Sequence, residues 1–128
     1  MAEHNYVGEL GEDLAREYLE KKGYKILEQN YKNKFAEIDL VCELRKSSFA
    51  KASEDKLVFV EVRTKIGEHF GSPEDTINRA KLQKVLWNSK NYLGFKGWQG
   101  SARIDAICIV LNPDKSVARL THHENIVS

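Results

Sequence analysis

"FVEVRTK", residues 59–65, is a strand-like apolar run interrupted by charge. Side chains on a β-strand alternate between its faces, so residues two apart share one. Val58, Val60 and Val62 therefore fall on one face, and Phe59, Glu61, Arg63 and Lys65 on the other. A core strand with a carboxylate and two cations along one face is either ion-paired within its sheet or part of a site. "AEIDLVCEL", residues 36–44, poses the same question, with Glu37 and Asp39 on one face and Ile38 and Leu40 on the other. If the two runs are paired strands, Asp39 and Glu61 meet at one end of the sheet. Two half-buried carboxylates repel one another unless positive charge lies between them. A divalent cation meets that need, being hard, oxygen-seeking and content with a few carboxylates plus waters.

The rest of the chain supplies the frame. In "NYVGELGEDLAREYLEKKGY", 5–24, Val7, Leu10, Leu14, Ala15, Tyr18 and Leu19 recur at helical spacing, and Gly23 marks the stop. Gly8 and Gly11 lie on or near the same face, where a missing side chain permits close packing. "YKILEQNYK", 24–32, reads as a first strand. "RKSSFAKASEDK", 45–56, reads as a polar loop or insertion, longer than a simple hairpin turn. Ser72, Pro73 and Asp75 form a capping-box-like start, predicting a helix from there to about Leu93, ended by Gly94. Leu82, Val85, Leu86, Tyr92 and Leu93 form its apolar stripe. "SARIDAICIVLN", 101–112, is a fourth strand, and "VARLTHHENIV", 117–127, an edge-like last one. The order α-β-β-β-α-β-β predicts a layered α/β or α+β fold. The length, 128 residues, suits a single domain over 1–128.

Composition excludes several classes of function. A formal net charge of +1 gives no strong global attraction to nucleic acid or anionic membrane, so nucleic-acid binding needs a local basic patch. No stretch is long and apolar enough to span a bilayer, so no membrane role is expected. "MAEHNYVGELGED" is acidic and lacks an apolar signal core, which predicts a cytoplasmic protein. Cys42 and Cys108 lie in apolar runs without a C-x-x-C, and read as free buried thiols rather than a disulfide. His122 and His123 are adjacent and face opposite ways on a strand, while His4 and His69 are isolated, so no zinc-ligand spacing appears.

An acid on one strand followed by E-x-K on the next resembles the signature of restriction-endonuclease-like nucleases. More narrowly, the chain resembles the YraN family of small bacterial proteins. Its motifs G-E-x-x-A, G-E-I-D-L, F-V-E-V-K-x-R and F-G-x-P stand here as "GEDLA" (11–15), "AEIDL" (36–40), "FVEVRTK" and "FGSPED" (70–75). The resemblance runs from Gly8 to about Val110. It implies a restriction-endonuclease-like fold, a central mixed β-sheet flanked by helices. It also implies Mg²⁺- or Mn²⁺-dependent hydrolysis of phosphodiesters in DNA, branched DNA included. Carried over by position, Asp39 and Glu61 would hold the metal, with the Val62 carbonyl as a further ligand and Glu37 beside them. Glu12 matches the acid of the first helix. Arg63 stands where the catalytic lysine is expected and Lys65 where the arginine is expected, as though exchanged, and Ala36 replaces a glycine. Branched-DNA resolvases of this superfamily work as dimers, so a homodimer is expected by analogy.

Plainer readings stand beside these. Glu61 could pair structurally with Arg63, Arg103 or Lys81, Glu37 could be a solvated neighbour, and Glu12 a surface acid. Asp105 reads as a structural hydrogen-bonding residue rather than a distal site residue. Arg79, Lys81 and Lys84 give the second helix a basic edge, a nucleic-acid contact only if it lines the carboxylate side. Two other functions fit the same residues: a nucleic-acid-binding module with a degenerate nuclease site, and an accessory protein using this face for a partner.

Overall fold

The computed structural model describes residues 3–32, 37–45 and 55–127. The helix α1, Glu3–Lys21, forms where the apolar residues recur at helical spacing, and it buries Val7, Ala15 and Leu19. Three strands follow: β1 (Lys25–Lys32), β2 (Glu37–Leu44) and β3 (Lys56–Ile66). A short 3₁₀ turn, Pro73–Thr76, leads into α2, Arg79–Lys96, and then β4 (Ser101–Leu111) and β5 (Val117–His123) complete one five-stranded sheet. The strands lie in chain order, with β3 and β4 parallel and the other pairs antiparallel. A parallel pair cannot be closed by a tight turn, and α2 is the crossover between its strands. The order α-β-β-β-α-β-β and the mixed sheet between two helices are consistent with a restriction-endonuclease-like fold.

The alternation in β3 divides the core. Val58, Val60 and Val62 pack with Leu40, Ile107 and Ile109 against Ala15 and Leu19 of α1. Leu57 and Phe59 pack with Val41 and Ile104 against Val85 and Tyr92 of α2. Burial on both faces explains why β3 and β4 read as near-continuous apolar runs. Glu61, Arg63 and Lys65 follow Phe59 onto the α2 face. Gly11 lies directly on β3: a Cβ there would fall 1.8 Å from Thr64 Oγ1, so only glycine lets α1 sit this close. Gly8 has no such role, since a Cβ on it would meet nothing within 4 Å.

The second helix starts later than the sequence pattern predicts. The Asp75 carboxylate does accept the Ser72 N–H, at 3.0 Å, but the turn it closes is 3₁₀ and stops at Thr76. Ile77 is extended, and Asn78 starts α2 afresh, its side chain accepting the Lys81 N–H at 2.9 Å. Gly94 lies inside α2, and the cap is Gly97, at φ 63°. In the expected loop 45–56, residues 46–54 lie outside the described residues, as does Ala36. Lys56 already belongs to β3, and Asp55 is buried. The two cysteines are free and buried. Cys42 packs in the α1-side core, whereas the Cys108 thiol neighbours Glu74 on the α2 side, which rules out a bond between them. Burial pushes both thiols up to about 12.

Candidate metal centre

The β2–β3 ladder runs from Leu44 opposite Lys56 to Leu40 opposite Val60. One step further, where Asp39 and Glu61 would face each other, the ladder ends. There the Asp39 side chain replaces the backbone, its Oδ2 accepting the Val62 N–H at 2.8 Å. The two acids are thus held together at the point where the strands separate. Glu61 is buried, its side chain 3% exposed, and Asp39 is partly buried, its side chain 13% exposed. Arg63, two residues along the same face, donates from Nη2 to Glu61 Oε2 at 2.6 Å and from Nη1 to the Val62 carbonyl at 3.0 Å. Its Nη1 lies 4.0 Å from Asp39 Oδ2. The plainer reading of Glu61, a partner for Arg63, therefore holds alongside the clustering of acids.

Glu12 arrives from α1. The contact of Gly11 with Thr64 sets this part of the helix against β3, and carboxylate oxygens of Glu12, Glu37 and Asp39 lie within 4.8 Å of one another. Glu12 of α1 thus converges with Glu37 and Asp39 of β2, and Glu61 of β3 lies beside them. Burial, and then the charge of Asp39, push Glu12 up to about 7. The same two causes push Glu61 up to about 7, and burial raises Asp39 despite the Val62 N–H and Arg63. Asn30, at φ 54°, hydrogen-bonds to Glu12 and partly offsets this. Its left-handed backbone, tolerated by asparagine, is a feature the sequence pattern does not reveal.

These acids make the metal-free protein pH-sensitive. Folded values near 7 for Glu12 and Glu61 exceed the ordinary 4.5, so the native state keeps protons that the unfolded chain releases. Stability should fall as pH rises between those values. In chelator, the melting temperature is expected to be higher at about pH 5.5 than at about pH 8, and Glu61→Gln should reduce the difference. A melting temperature that rises over this range would show that the acids do not repel.

The centre opens into a cleft of about 530 Å³ between the sheet and the start of α2. Glu37, Asp39 and Glu61 line it with Arg63, Lys81 and Lys84, and Asn78, Ala80 and Val85 complete the wall. Lys81 and Lys84 thus lie on the carboxylate side. Arg79 is exposed at the helix start and is not part of the lining, nor is Lys65, whose Nζ lies near Gly71. Asn78 and Ala80 escape the sequence reading because it places them inside a longer helix.

Asp105 stands on the other face of the sheet. It is fully buried, bound by Arg103 at 3.0 Å, by His122 Nε2 at 2.7 Å and by the Asn125 N–H at 2.9 Å, which is the structural role its sequence suggests. His123, pointing the opposite way, meets Glu74 and Cys108 within 4.8 Å, a grouping that sequence spacing conceals. The Glu74 carboxylate is already engaged by Arg119, at 2.8 and 3.0 Å, and by His123 at 2.9 Å. That network ties the 3₁₀ turn to β5. Among the described residues no helix is long and apolar enough to cross a membrane.

Comparison with known proteins adds a family-wide likeness. The family model described as "Uncharacterised protein family UPF0102" matches residues 11–109, which include all four acids. The chain is 38% identical over 120 residues to the UPF0102 protein TTE1452 of Caldanaerobacter subterraneus subsp. tengcongensis, covering 91% of this chain and 89% of that one. It is 36% identical over 125 residues to the UPF0102 protein FP2501 of Flavobacterium psychrophilum, covering 98% and 96%. A UPF0102 protein of Flavobacterium johnsoniae is 43% identical over 96 residues, covering 75% and 71%.

Proposed function

The chain belongs to the uncharacterised protein family UPF0102, the YraN family, and from the acidic centre built by its fold we propose that it is a divalent-metal-dependent nuclease that hydrolyses phosphodiester bonds in DNA. The observation that carries this reading is the meeting of Asp39 and Glu61 at the end of the β2–β3 ladder, with Glu12 and Glu37 beside them and Lys81 and Lys84 across the cleft. The donor set suits a hard cation: it is all carboxylate oxygen, and its carboxyl groups are pushed up by burial and mutual charge. Asp39, Glu61 and Glu37 would hold Mg²⁺ or Mn²⁺. Bound there, the ion would act as a Lewis acid at the scissile phosphate and ease ionisation of water.

The chain's own groups account for the remaining tasks. Three acids and three cations line the cleft, so a divalent ion leaves it net positive, matched to a polyanion. Lys81 and Lys84 would hold non-bridging phosphate oxygens. Arg63 spends one donor on Glu61 and one on Val62 O, and its remaining N–H groups are available to phosphate. It cannot act as a base, because a guanidinium keeps its proton. Glu12, held near 7, is the carboxylate suited to taking a proton from the attacking water.

A second reading, a DNA-binding module with a degenerate site, draws on Arg63. It fills the position of the expected lysine and is bonded to Glu61, while Lys65 lies outside the cleft lining. One assay separates the two: labelled linear and branched DNA incubated with the protein in Mg²⁺, in Mn²⁺ and in chelator. The nuclease reading expects product only with metal, and DNA bound but uncut supports the module. Lysine is a compact point donor, so Arg63→Lys should raise the cleavage rate, by roughly tenfold if one hydrogen bond is gained in the transition state. Arg63→Ala should weaken both binding and cleavage. Unchanged binding and cleavage in both variants would leave Arg63 as a structural partner of Glu61.

A further inference from the structure

We propose that Glu74, Cys108 and His123 form a second cation site, one for zinc or a similar transition-metal ion, that clamps the 3₁₀ turn onto the sheet. This site is separate from the acidic centre and independent of the nuclease reading. A carboxylate oxygen of Glu74, the Cys108 sulfur and a ring nitrogen of His123 lie within 4.8 Å of one another. They come from the turn Pro73–Thr76, from β4 and from β5. In the β4–β5 ladder Cys108 pairs with Thr121 and Ala106 with His123, so the sulfur and the imidazole stand diagonally across it.

The donor atoms are those of a borderline-soft ion. The acidic centre offers carboxylate oxygen alone, which suits Mg²⁺, whereas thiolate with imidazole favours Zn²⁺ over Mg²⁺ and Mn²⁺. Glu74 is ready as a ligand, since hydrogen bonds from Arg119 hold it down to about 2. A carboxylate accepts at about four positions. Arg119 takes two of them, at 2.8 and 3.0 Å, and so orients the group as an outer partner orients a metal ligand. The others are turned to His123 Nε2, at 2.9 Å, and to the Cys108 thiol. A cation replacing the hydrogens of these two contacts would draw the same three atoms together.

The movement required is small. Zinc bonds of about 2.0–2.3 Å place tetrahedral ligands roughly 3.3–3.8 Å apart, so binding asks for shifts of about 1 Å. His123 and Glu74, with side chains 39% and 31% exposed, have that freedom and open the site to water. The charges balance, because a thiolate and a carboxylate offset a divalent ion and Arg119 is shared with Glu68 at 2.7 Å. Covalent catalysis is a poorer use of these residues: burial keeps Cys108 a neutral thiol, and a coordinating metal is what would take its proton. The clamped turn leads into α2 and to Asn78 and Lys81 of the cleft.

The test is Co²⁺ titrated into the reduced, metal-free protein in excess Mg²⁺, followed by the thiolate-to-cobalt charge-transfer band in the near ultraviolet, which reports sulfur ligation alone. The wild type should develop the band saturably, and added Zn²⁺ should bleach it. Cys108→Ser should remove the band, whereas Cys42→Ser and Asp39→Asn should keep it. His123→Ala, at a partly exposed position, should weaken Co²⁺ binding at least about tenfold, and Zn²⁺ should raise its melting temperature less than that of the wild type. Should Cys108→Ser not fold, the comparison with His123→Ala decides alone. No band in the wild type, a band that survives Cys108→Ser, or equal Co²⁺ affinity in the wild type and His123→Ala overturns the proposal and leaves the nuclease reading in place.

Discussion

Asp39→Ala is expected to lower metal-dependent DNA cleavage by at least about 100-fold, because removing a metal ligand costs more than removing one of its outer partners. Asp39 has two roles that a single substitution confounds. Its carboxylate is one of the converging acids, and its Oδ2 also accepts the Val62 N–H at 2.8 Å where the ladder ends. Alanine removes both, leaving a backbone donor unpaired at a cost of about 1–3 kcal/mol in stability. Asparagine keeps an acceptor of the same shape and removes only the charge. In chelator, Asp39→Asn should be neutral or mildly stabilising, since it relieves repulsion with Glu12 and Glu61. The wild type should gain melting temperature on adding Mn²⁺, because a ligand of the folded state alone stabilises it, and both variants should lose that gain. If Asp39→Asn cleaves at the wild-type rate, Asp39 serves only the ladder.

Asp105→Ala should cost about 3–5 kcal/mol of stability, the loss typical of breaking a buried ion pair from one side. The Asp105 side chain is 0% exposed. It satisfies Arg103, His122 and the Asn125 N–H together, and Arg103 continues to the Tyr24 hydroxyl at 2.8 Å and to Glu124 at 2.7 Å. Removing it leaves a largely buried guanidinium with only the Tyr24 hydroxyl and the more exposed Glu124 as partners. Although burial pushes Asp105 up, His122, the Asn125 N–H and Arg103 together hold it below its ordinary range. Its contribution is therefore present at neutral pH and lost as pH falls through the folded value. Thermal unfolding should show a drop of roughly 10–20 °C. Metal binding of the folded variant should survive, because the network lies on the face opposite the acids. A loss under about 1 kcal/mol would mean that water replaces the carboxylate easily.

The faces of the sheet were legible because strand alternation is a local rule. It separates Val58, Val60 and Val62 from Phe59 and Glu61, and the core divides along that line. The same rule puts Asp39 and Glu61 together once β2 and β3 pair. The restart of α2 at Asn78 was not legible: Ser72, Pro73 and Asp75 meet every local criterion for a helix start, and extended Ile77 is what interrupts it. That two-residue break brings Asn78 into the cleft lining, beside Ala80 and Lys81. The place of Glu12 depends on the contact between Gly11 and Thr64, residues 53 positions apart, to which periodicity within one helix is blind. The Glu74, Cys108 and His123 grouping is likewise assembled by the parallel β3–β4 crossover and by β5, and has no spacing to read.

A metal-dependent nuclease of this form requires that carboxylates from β2 and β3 form one cation site. Titrating Mn²⁺ into the metal-free protein, with free Mn²⁺ followed by electron paramagnetic resonance, tests it without reference to DNA. The wild type should take up Mn²⁺ saturably, in competition with Mg²⁺, and Asp39→Asn and Glu61→Gln should each abolish that uptake while remaining folded. Uptake of equal affinity in the wild type and both variants, or none in the wild type, would contradict it.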